Sequence, residues 1–330
     1  MKVAVIGLAG VGRVHVERWQ ANANANLVSV CDIVPEIADE FAAKYRIKGY
    51  TQVEEMFDKE KPEAVSICAP PKTHLQITHM AAERGIHVLC EKPMASAVAD
   101  CREMIRLCQV NGVVLQIGHK KRFLPALLKL KALTEGELGP IRYLVHRYPH
   151  PGMSHRDWFW AEDDGGGPIL ENAVHAADIL GFLMGDVERV YAEGGTFFAP
   201  QRKPQIDAAV FTLRFKSGAI GTVAAGMVSM GAFNFEDYYA TNENGVAEVS
   251  GKFDQADTLR YALRNAPRDI HAETHANFDA FAAEIEHFVG CIQTRSVPRA
   301  SGEAGMKAVA ICRAVKTSAK LGQPVEVAWT

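Results

Sequence analysis

Apolar residues in the first 120 positions fall into short runs separated by stretches of helical period. Val3 to Ile6, Leu27 to Cys31, Ala64 to Cys68, Ile86 to Cys90 and Val113 to Ile117 are four- or five-residue runs that read as buried strands. Between them, Val14 to Trp19, Pro35 to Tyr45, Lys72 to Arg84 and Ala97 to Gln109 read as helices. Strand and helix in strict alternation predict parallel pairing through right-handed crossovers, an α/β doubly wound sheet. Near residue 120 the rhythm changes. Ile141 to Arg147, Val187 to Thr196, Ala208 to Phe215, Ala219 to Gly226, Phe233 to Thr241 and Val246 to Val249 follow one another with few intervening helices, which predicts a mostly antiparallel sheet in an α+β domain. Lys216-Ser217-Gly218 and Asn242-Glu243-Asn244-Gly245 have the turn chemistry that hairpins need. Two helices, Phe278 to Thr294 and Glu303 to Leu321, and a strand at Val325 to Val327 close the chain. The pattern divides into domains at 1–120 and 121–330, with the last helix and strand able to pack back on the first.

The first strand breaks into Gly7-Leu8-Ala9-Gly10-Val11-Gly12 and runs on into a helix. Small residues let the backbone pass close to a pyrophosphate, and a helix N-terminus offers N–H groups and a positive dipole end. Ala9 stands where G-x-G-x-x-G has its middle glycine; its methyl is tolerable if its φ stays negative. Asp32 ends the second strand twenty residues past Gly12. There a carboxylate accepts from the adenosine ribose hydroxyls and repels a 2′-phosphate, which favours NAD over NADP. A helix N-cap before Pro35 is the competing role. Ligands of doubly wound sheets bind beyond the carboxyl ends of strands, which brings Ala69-Pro70-Pro71, Glu91-Lys92-Pro93 and Gly118-His119-Lys120 into the candidate site.

In the second domain Gly165-Gly166-Gly167 leads into a helix that starts at Pro168. Read as one helix, Glu171, His175 and Asp178 stand at i, i+4 and i+7 and share a face, while Leu170, Val174, Ala177 and Ile179 turn to the sheet. The run from His146 to Trp160 holds three histidines and several aromatics. It reads as a loop over a polyol pocket or as a metal site; without compact His/carboxylate spacing and a third ligand, no metal is expected.

Composition narrows the partners. Of 330 residues, 48% are hydrophobic and 23% charged, with a formal net charge of -3, which excludes a disordered chain and gives no basic surface for nucleic acid. No apolar run is long enough for a membrane span, and the first strand begins at Lys2, so a cytoplasmic protein is expected. Seven scattered cysteines without a C-x-x-C fit reduced thiols in the core.

The order of motifs resembles the Gfo/Idh/MocA family of sugar and inositol dehydrogenases. It runs from the glycine turn through Asp32, Ala69 to His74, Glu91-Lys92-Pro93 and Gly165 to His175, and Ser301-Gly302-Glu303 with Gly322 to Val325 continue it. The resemblance implies an N-terminal Rossmann domain, an open sheet domain that packs against partner subunits, and therefore a homodimer or homotetramer. It implies NAD as cofactor, held by Gly7, Ala9, Gly10, Val11, Gly12, Asp32, Ile33, Ala69, Pro70, His74, Glu91 and Lys92. Lys92, expected beside the nicotinamide and before a cis peptide bond, would stabilise charge on the reacting oxygen. The family's aspartate and histidine fall on Glu171 and His175. His175 would take the hydroxyl proton as hydride leaves the carbinol carbon, and Glu171 would orient the imidazole or bind a substrate hydroxyl. Lys120, Arg122, His150, His155, Trp158, Trp160, Asn172 and Asp178 are expected on the substrate side. Against these stand plain roles: a solvated lysine, a core histidine, an Asp178 bonded to backbone and a basic surface turn at Lys120 and Arg122. The implied function is NAD-dependent hydride transfer on a polyol, inositol or sugar derivative. The alternatives are an NAD-retaining lyase, epimerase or glycosidase of the family, or a non-catalytic dinucleotide-binding regulator.

Overall fold

A computed structural model describes residues 1–152, 154–227, 232 and 234–329. The chain forms two compact units, one of residues 1–120 and 279–306, the other of 121–278 and 307–330. The first contains β1 (Lys2–Ile6), α1 (Val11–Ala21), β2 (Asn26–Cys31), α2 (Pro35–Tyr45), β3 (Lys48–Tyr50), α3 (Val53–Glu60), β4 (Ala64–Ile67), α4 (His74–Glu83), β5 (His87–Cys90), α5 (Val98–Val110) and β6 (Leu115–Ile117). Its sheet is parallel throughout, in the order β3-β2-β1-β4-β5-β6. The strand order reverses between β1 and β4, so the glycine turn after β1 and the turn after β4 lie side by side at the carboxyl edge. β3 and α3 are absent from the hydrophobic pattern for a physical reason. Lys48-Gly49-Tyr50 is an edge strand without a buried residue, and only Met56 and Phe57 of α3 are buried.

The second unit contains α6 (Pro125–Glu135), β7 (Ile141–Pro149), α7 (Asp157–Trp160), α8 (Gly167–Glu171), α9 (Val174–Met184), β8 (Val187–Gly195), β9 (Ala208–Phe215), β10 (Ile220–Gly226), β11 (Glu236–Asn242), β12 (Gly245–Gly251), β13 (Thr258–Leu263) and β14 (His271–Thr274). The chain ends with α10 (Ala280–Thr294), α11 (Gly302–Leu321) and β15 (Val325–Glu326). Among the described residues nine strands make one sheet, β14-β13-β12-β11-β7-β10-β9-β8-β15, in which only β7 and β10 run parallel. The expected strand start at Phe233 lies outside the described residues, as does Met153 of the histidine loop. The hairpin turns after β9 and β11 fall where their Gly and Asn residues placed them, with Gly218 at φ 83°.

Residues 279–306 complete the first core. Asp279 caps α10 by accepting from Ala282 N–H at 2.9 Å. Ile285, Phe288 and Val289 then enter the cluster formed by Val3, Val5, Val16, Trp19 and Val30, with the Phe288 ring edge-on to Trp19 at 6.3 Å. Strand β6 gains cover where Ile117 N–H donates to Ala300 O at 2.8 Å. All seven cysteines are unpaired. Burial pushes the Cys31, Cys108 and Cys312 thiols up to about 12, the behaviour of small core residues. Among the described residues no helix is long and apolar enough to cross a membrane.

In the second unit one face of the sheet is buried. Leu144, His146 and Tyr148 of β7 lie on it beside Tyr238 of β11. His146 stacks on Tyr238 at 4.0 Å and shares 2.8 Å between its Nδ1 and Asp237 O. Burial pushes its imidazole down to about 4 against the opposing pull of the Glu236 charge. The unfolded chain therefore takes up this proton before the folded one does. Stability contributed by neutral His146 is complete above pH 6.5 and is lost as pH falls towards 4, by roughly 3 kcal/mol at most. Urea unfolding across that range should show the decline, and His146→Phe should flatten it.

Candidate active site

In the first unit, the turn between β1 and α1 is built on backbone contact. Gly7 has φ 80° and Gly10, the N-cap of α1, φ 61°. A Cβ on Gly7 would lie 2.6 Å from Ala69 N, and one on Gly12 would lie 1.8 Å from Gly7 O. No side chain caps the N-terminus of α1, which suits a bound phosphate as its partner. Ala9 is not among the residues with positive φ, so its methyl imposes no backbone strain. Val11 opens the helix beside this turn. Asp32 Oδ2 accepts Leu8 N–H at 2.8 Å, fastening the glycine turn to β2, and Oδ1 accepts Val34 N–H at 3.0 Å. The N-cap of α2 is Val34, so the alternative capping role does not fall to Asp32. Ile33 beside it is 88% exposed, an apolar side chain at the strand tip where a flat base can rest. Glycine spacing, an uncapped helix end and a carboxylate at the second strand together fit a dinucleotide.

The turns after β4 and β5 complete this half. His74 is buried, its Nε2 2.8 Å from Ala69 O and its Nδ1 3.1 Å from Met94 O, so it staples the Ala69-Pro70 turn to the segment after Lys92. Burial lowers its pKa despite these carbonyls. Glu91 is buried and accepts Lys92 N–H at 3.1 Å, Lys92 is half-buried, and the Lys92–Pro93 bond is cis. Lys120 sits over the Phe281 ring at 4.3 Å.

In the second unit the structure corrects the single-helix reading. The segment is α8, a two-residue turn at Asn172 and Ala173, and then α9. Ala173 N–H reaches back to Pro168 O and His175 N–H only to Asn172 O, so the regular i−4 ladder is interrupted. Glu171 therefore does not stand one regular turn below His175. His175 and Asp178 do share α9 three residues apart, both buried. Leu170, Val174, Ala177 and Ile179 are all fully buried, as the pattern required. Glu171 and Asn172 are half-buried at the break, and Asn172 Nδ2 is buried with no hydrogen-bond partner. Tyr148 of β7 stands edge-on to His175 at 6.5 Å.

The basic turn after β6 divides its cations. Arg122 Nε donates to both oxygens of Asp178, at 3.0 and 2.9 Å, so these two expected substrate residues hold each other. Lys121, absent from the sequence candidates, is buried 2.5 Å from Glu236 and 3.2 Å from Asp254, and Tyr238 donates to the same Glu236. Three successive cations, Lys120-Lys121-Arg122, mark the segment in the sequence, but nothing in them shows which one is buried. In the histidine loop, His155 is exposed and His150 half-buried, edge-on to Phe253 at 5.1 Å. Trp158 is half-buried against a small core of Phe159, Trp160, Ala199 and Met227. Trp160 is buried there, its Nε1 donating to Ser154 O at 2.9 Å.

Residues 1–119 match the family model described as an oxidoreductase family with an NAD-binding Rossmann fold, and residues 128–246 match the GFO/IDH/MocA C-terminal domain. The chain belongs to the GFO/IDH/MocA family. Its cofactor is accordingly NAD. Myo-inositol 2-dehydrogenase of Thermotoga maritima is 27% identical, with 96% of each chain covered. UDP-N-acetylglucosamine 3-dehydrogenase of Acidithiobacillus ferrooxidans superposes with a TM-score of 0.83 at 27% identity, covering 97% of this chain and 98% of that one. An aldose-aldose oxidoreductase of Caulobacter crescentus, solved with glycerol, gives 0.88 at 25% identity over 99% of both. For this GFO/IDH/MocA chain the glycine contacts make a direct statement about cofactor binding. Gly12→Ala should abolish NAD binding in a calorimetric titration, whereas Ala9→Gly should leave it close to the parent, with circular dichroism checking that both variants fold.

Proposed function

We propose that this protein oxidises a hydroxyl of a polyol, inositol or sugar derivative, with NAD preferred over NADP. The observation that carries the reading is the arrangement at the carboxyl end of β5, where half-buried Lys92 follows a buried, ionised Glu91 in the NAD-binding unit. When bound, NAD supplies the hydride acceptor. Lys92 places its ammonium on the reacting oxygen and stabilises the negative charge that develops as the carbonyl forms. His175, presented by the first turn of α9, takes the hydroxyl proton. Glu171 and Asn172, displaced from His175 by the helix break, bind neighbouring hydroxyls, the unpartnered Asn172 Nδ2 as a donor. The Arg122–Asp178 pair fixes α9 and with it His175. Trp158, His150 and His155 line the substrate rim, and Trp160 anchors their loop. Asp32 supports NAD because its carboxylate would repel a 2′-phosphate. The substrate class rests on the relatives named above, which act on an inositol, a nucleotide sugar and an aldose.

Purified protein supplied with NAD or NADP and a panel of inositols, aldoses, sugar acids and amino sugars tests this directly. Net NADH formation with at least one of them, faster than NADPH formation, is the expected result. Turnover without net reduction would move the assignment to an NAD-retaining lyase or epimerase. His175→Ala should lower kcat by about 10²- to 10⁴-fold with NAD affinity kept. Full turnover of that variant at every pH would remove His175 as the base.

The same proposal includes self-association through the open face of the second unit's sheet. Strand register sets Tyr143, Ile220, Tyr239, Val246, Tyr191 and Val210 on one face, each between 38% and 57% exposed. An apolar area of this extent on an ordered sheet marks an interface. Equilibrium sedimentation should give a dimer or tetramer, and paired Tyr143→Glu and Ile220→Glu changes should shift it towards monomer.

A further inference from the structure

A buried polar chain in the first unit leads to Lys92 and has no direct part in the chemistry above. His15 is fully buried on the inner face of α1, three residues past Gly12. Its Nδ1 lies 3.1 Å from Ser66 Oγ in β4, and its Nε2 lies 3.0 Å from Glu91 Oε1. Ser66 Oγ accepts Trp19 Nε1–H at 2.7 Å, and Glu91 Oε2 accepts the backbone N–H of Lys92. Trp19 donates to Ser66, Ser66 Oγ pairs with Nδ1 of the imidazole, Nε2 pairs with ionised Glu91, and Glu91 holds the lysine amide. Burial opposes the Glu91 charge, but the His15 hydrogen bond and charge, with those of Lys92, outweigh it and hold the carboxyl below its usual range.

Two neighbours bear on this chain. A Cβ on Gly118 would stand 2.9 Å from the Glu91 carboxylate, so the glycine after β6 keeps open the space that carboxylate occupies. Glu284 of α10, also fully buried, brings a third side chain, and His15, Glu91 and Glu284 present atoms within 4.8 Å of one another. That spacing would admit a cation. However, both imidazole nitrogens are already engaged by Ser66 and Glu91, which favours hydrogen bonding over ligation.

We propose that Trp19, Ser66, His15 and Glu91 form a positioning relay that sets Lys92 for the reaction, so that the helix receiving the cofactor phosphates and the lysine are aligned by one buried chain. The inference rests on the reading of Lys92 given above. His15 and Glu91 act through Lys92, without touching substrate.

The test compares full-length variants. His15→Asn keeps a polar atom near Ser66 and loses the donor to Glu91; His15→Gln returns a donor at the Nε2 position. Gly118→Ala crowds the Glu91 carboxylate, and Lys92→Ala serves as control. Kinetics use NAD with the best polyol of the panel, and NAD affinity is titrated separately. The Lys92 resonance is followed after carbon-13 reductive methylation, assigned by its loss in Lys92→Arg. His15→Asn and Gly118→Ala should lower kcat on the order of 10- to 100-fold and move the Lys92 resonance, with NAD affinity kept. His15→Gln should recover most of the loss. A His15→Asn enzyme that melts earlier yet keeps kcat and the Lys92 resonance would overturn the relay, leaving His15 a packing residue. Stoichiometric metal in the purified protein, whose removal reproduces the His15→Asn behaviour, would overturn it in favour of an ion site. A Lys92→Ala enzyme with parental turnover would instead sink the functional reading, while the resonance still decides the relay.

Discussion

The Gly12 backbone lies so close to the Gly7 carbonyl that even a methyl group would reach within 1.8 Å of the oxygen, and this contact governs the first unit. It forces the chain to turn sharply from β1 into α1, which aims the helix N-terminus at the carboxyl edge of the sheet. The same turn sends His15, Val16 and Trp19 into the core from one helix face. Asp32 then locks the turn from outside by accepting the Leu8 amide. Cofactor site, hydrophobic core and buried polar chain are thus three results of one backbone approach. The turn can lose its middle glycine, because Ala9 sits at ordinary φ, and could not lose its first or last.

How much of this could be read in advance depended on the range of the interaction responsible. Strands β1, β4 and β5 were plain because nearly all their residues are buried on both faces and most are apolar. The glycine turn was plain because the approach of Gly12 to Gly7 is local in sequence. Strands β13 and β14 escaped, since β14 has no fully buried residue and β13 only two. The break between α8 and α9 escaped for a different reason. Glu171 and His175 have helical spacing, and nothing in Asn172-Ala173 announces that the ladder will shift to Pro168 O. His15 could not be assigned from sequence at all, because its partners Ser66 and Glu91 are 51 and 76 residues away and meet it only after β4 and β5 pair.

The second unit solves a related problem with charge. Two neighbouring cations, Lys121 and Arg122, are drawn to different anions, one to Glu236 and Asp254 and the other to Asp178. Removing one partner would leave an uncompensated buried charge, so the pairs tie the segment after β6 to β11 and α9 at once. Lys121 also lies over the Tyr148 ring at 4.9 Å, and Tyr148 borders His175. The bed on which the proposed base rests is ionic below and aromatic at its edge.

The return of residues 279–306 to the first unit bears on how the protein is made. Trp19 and Val16 are packed in part by Ile285, Phe288 and Val289, residues that leave the ribosome after most of the chain has been synthesised. A nascent chain that has finished β6 carries the complete parallel sheet and glycine turn but lacks the helix that covers α1. The second unit waits in the same way, because most of α11 and all of β15, which belong to it, come after residue 306. A nucleotide-binding domain excised at residue 120 would inherit every residue proposed to hold the cofactor and still expose the apolar flank of its own first helix. The boundary that matters for this unit is therefore spatial, and a cut in the sequence does not reproduce it.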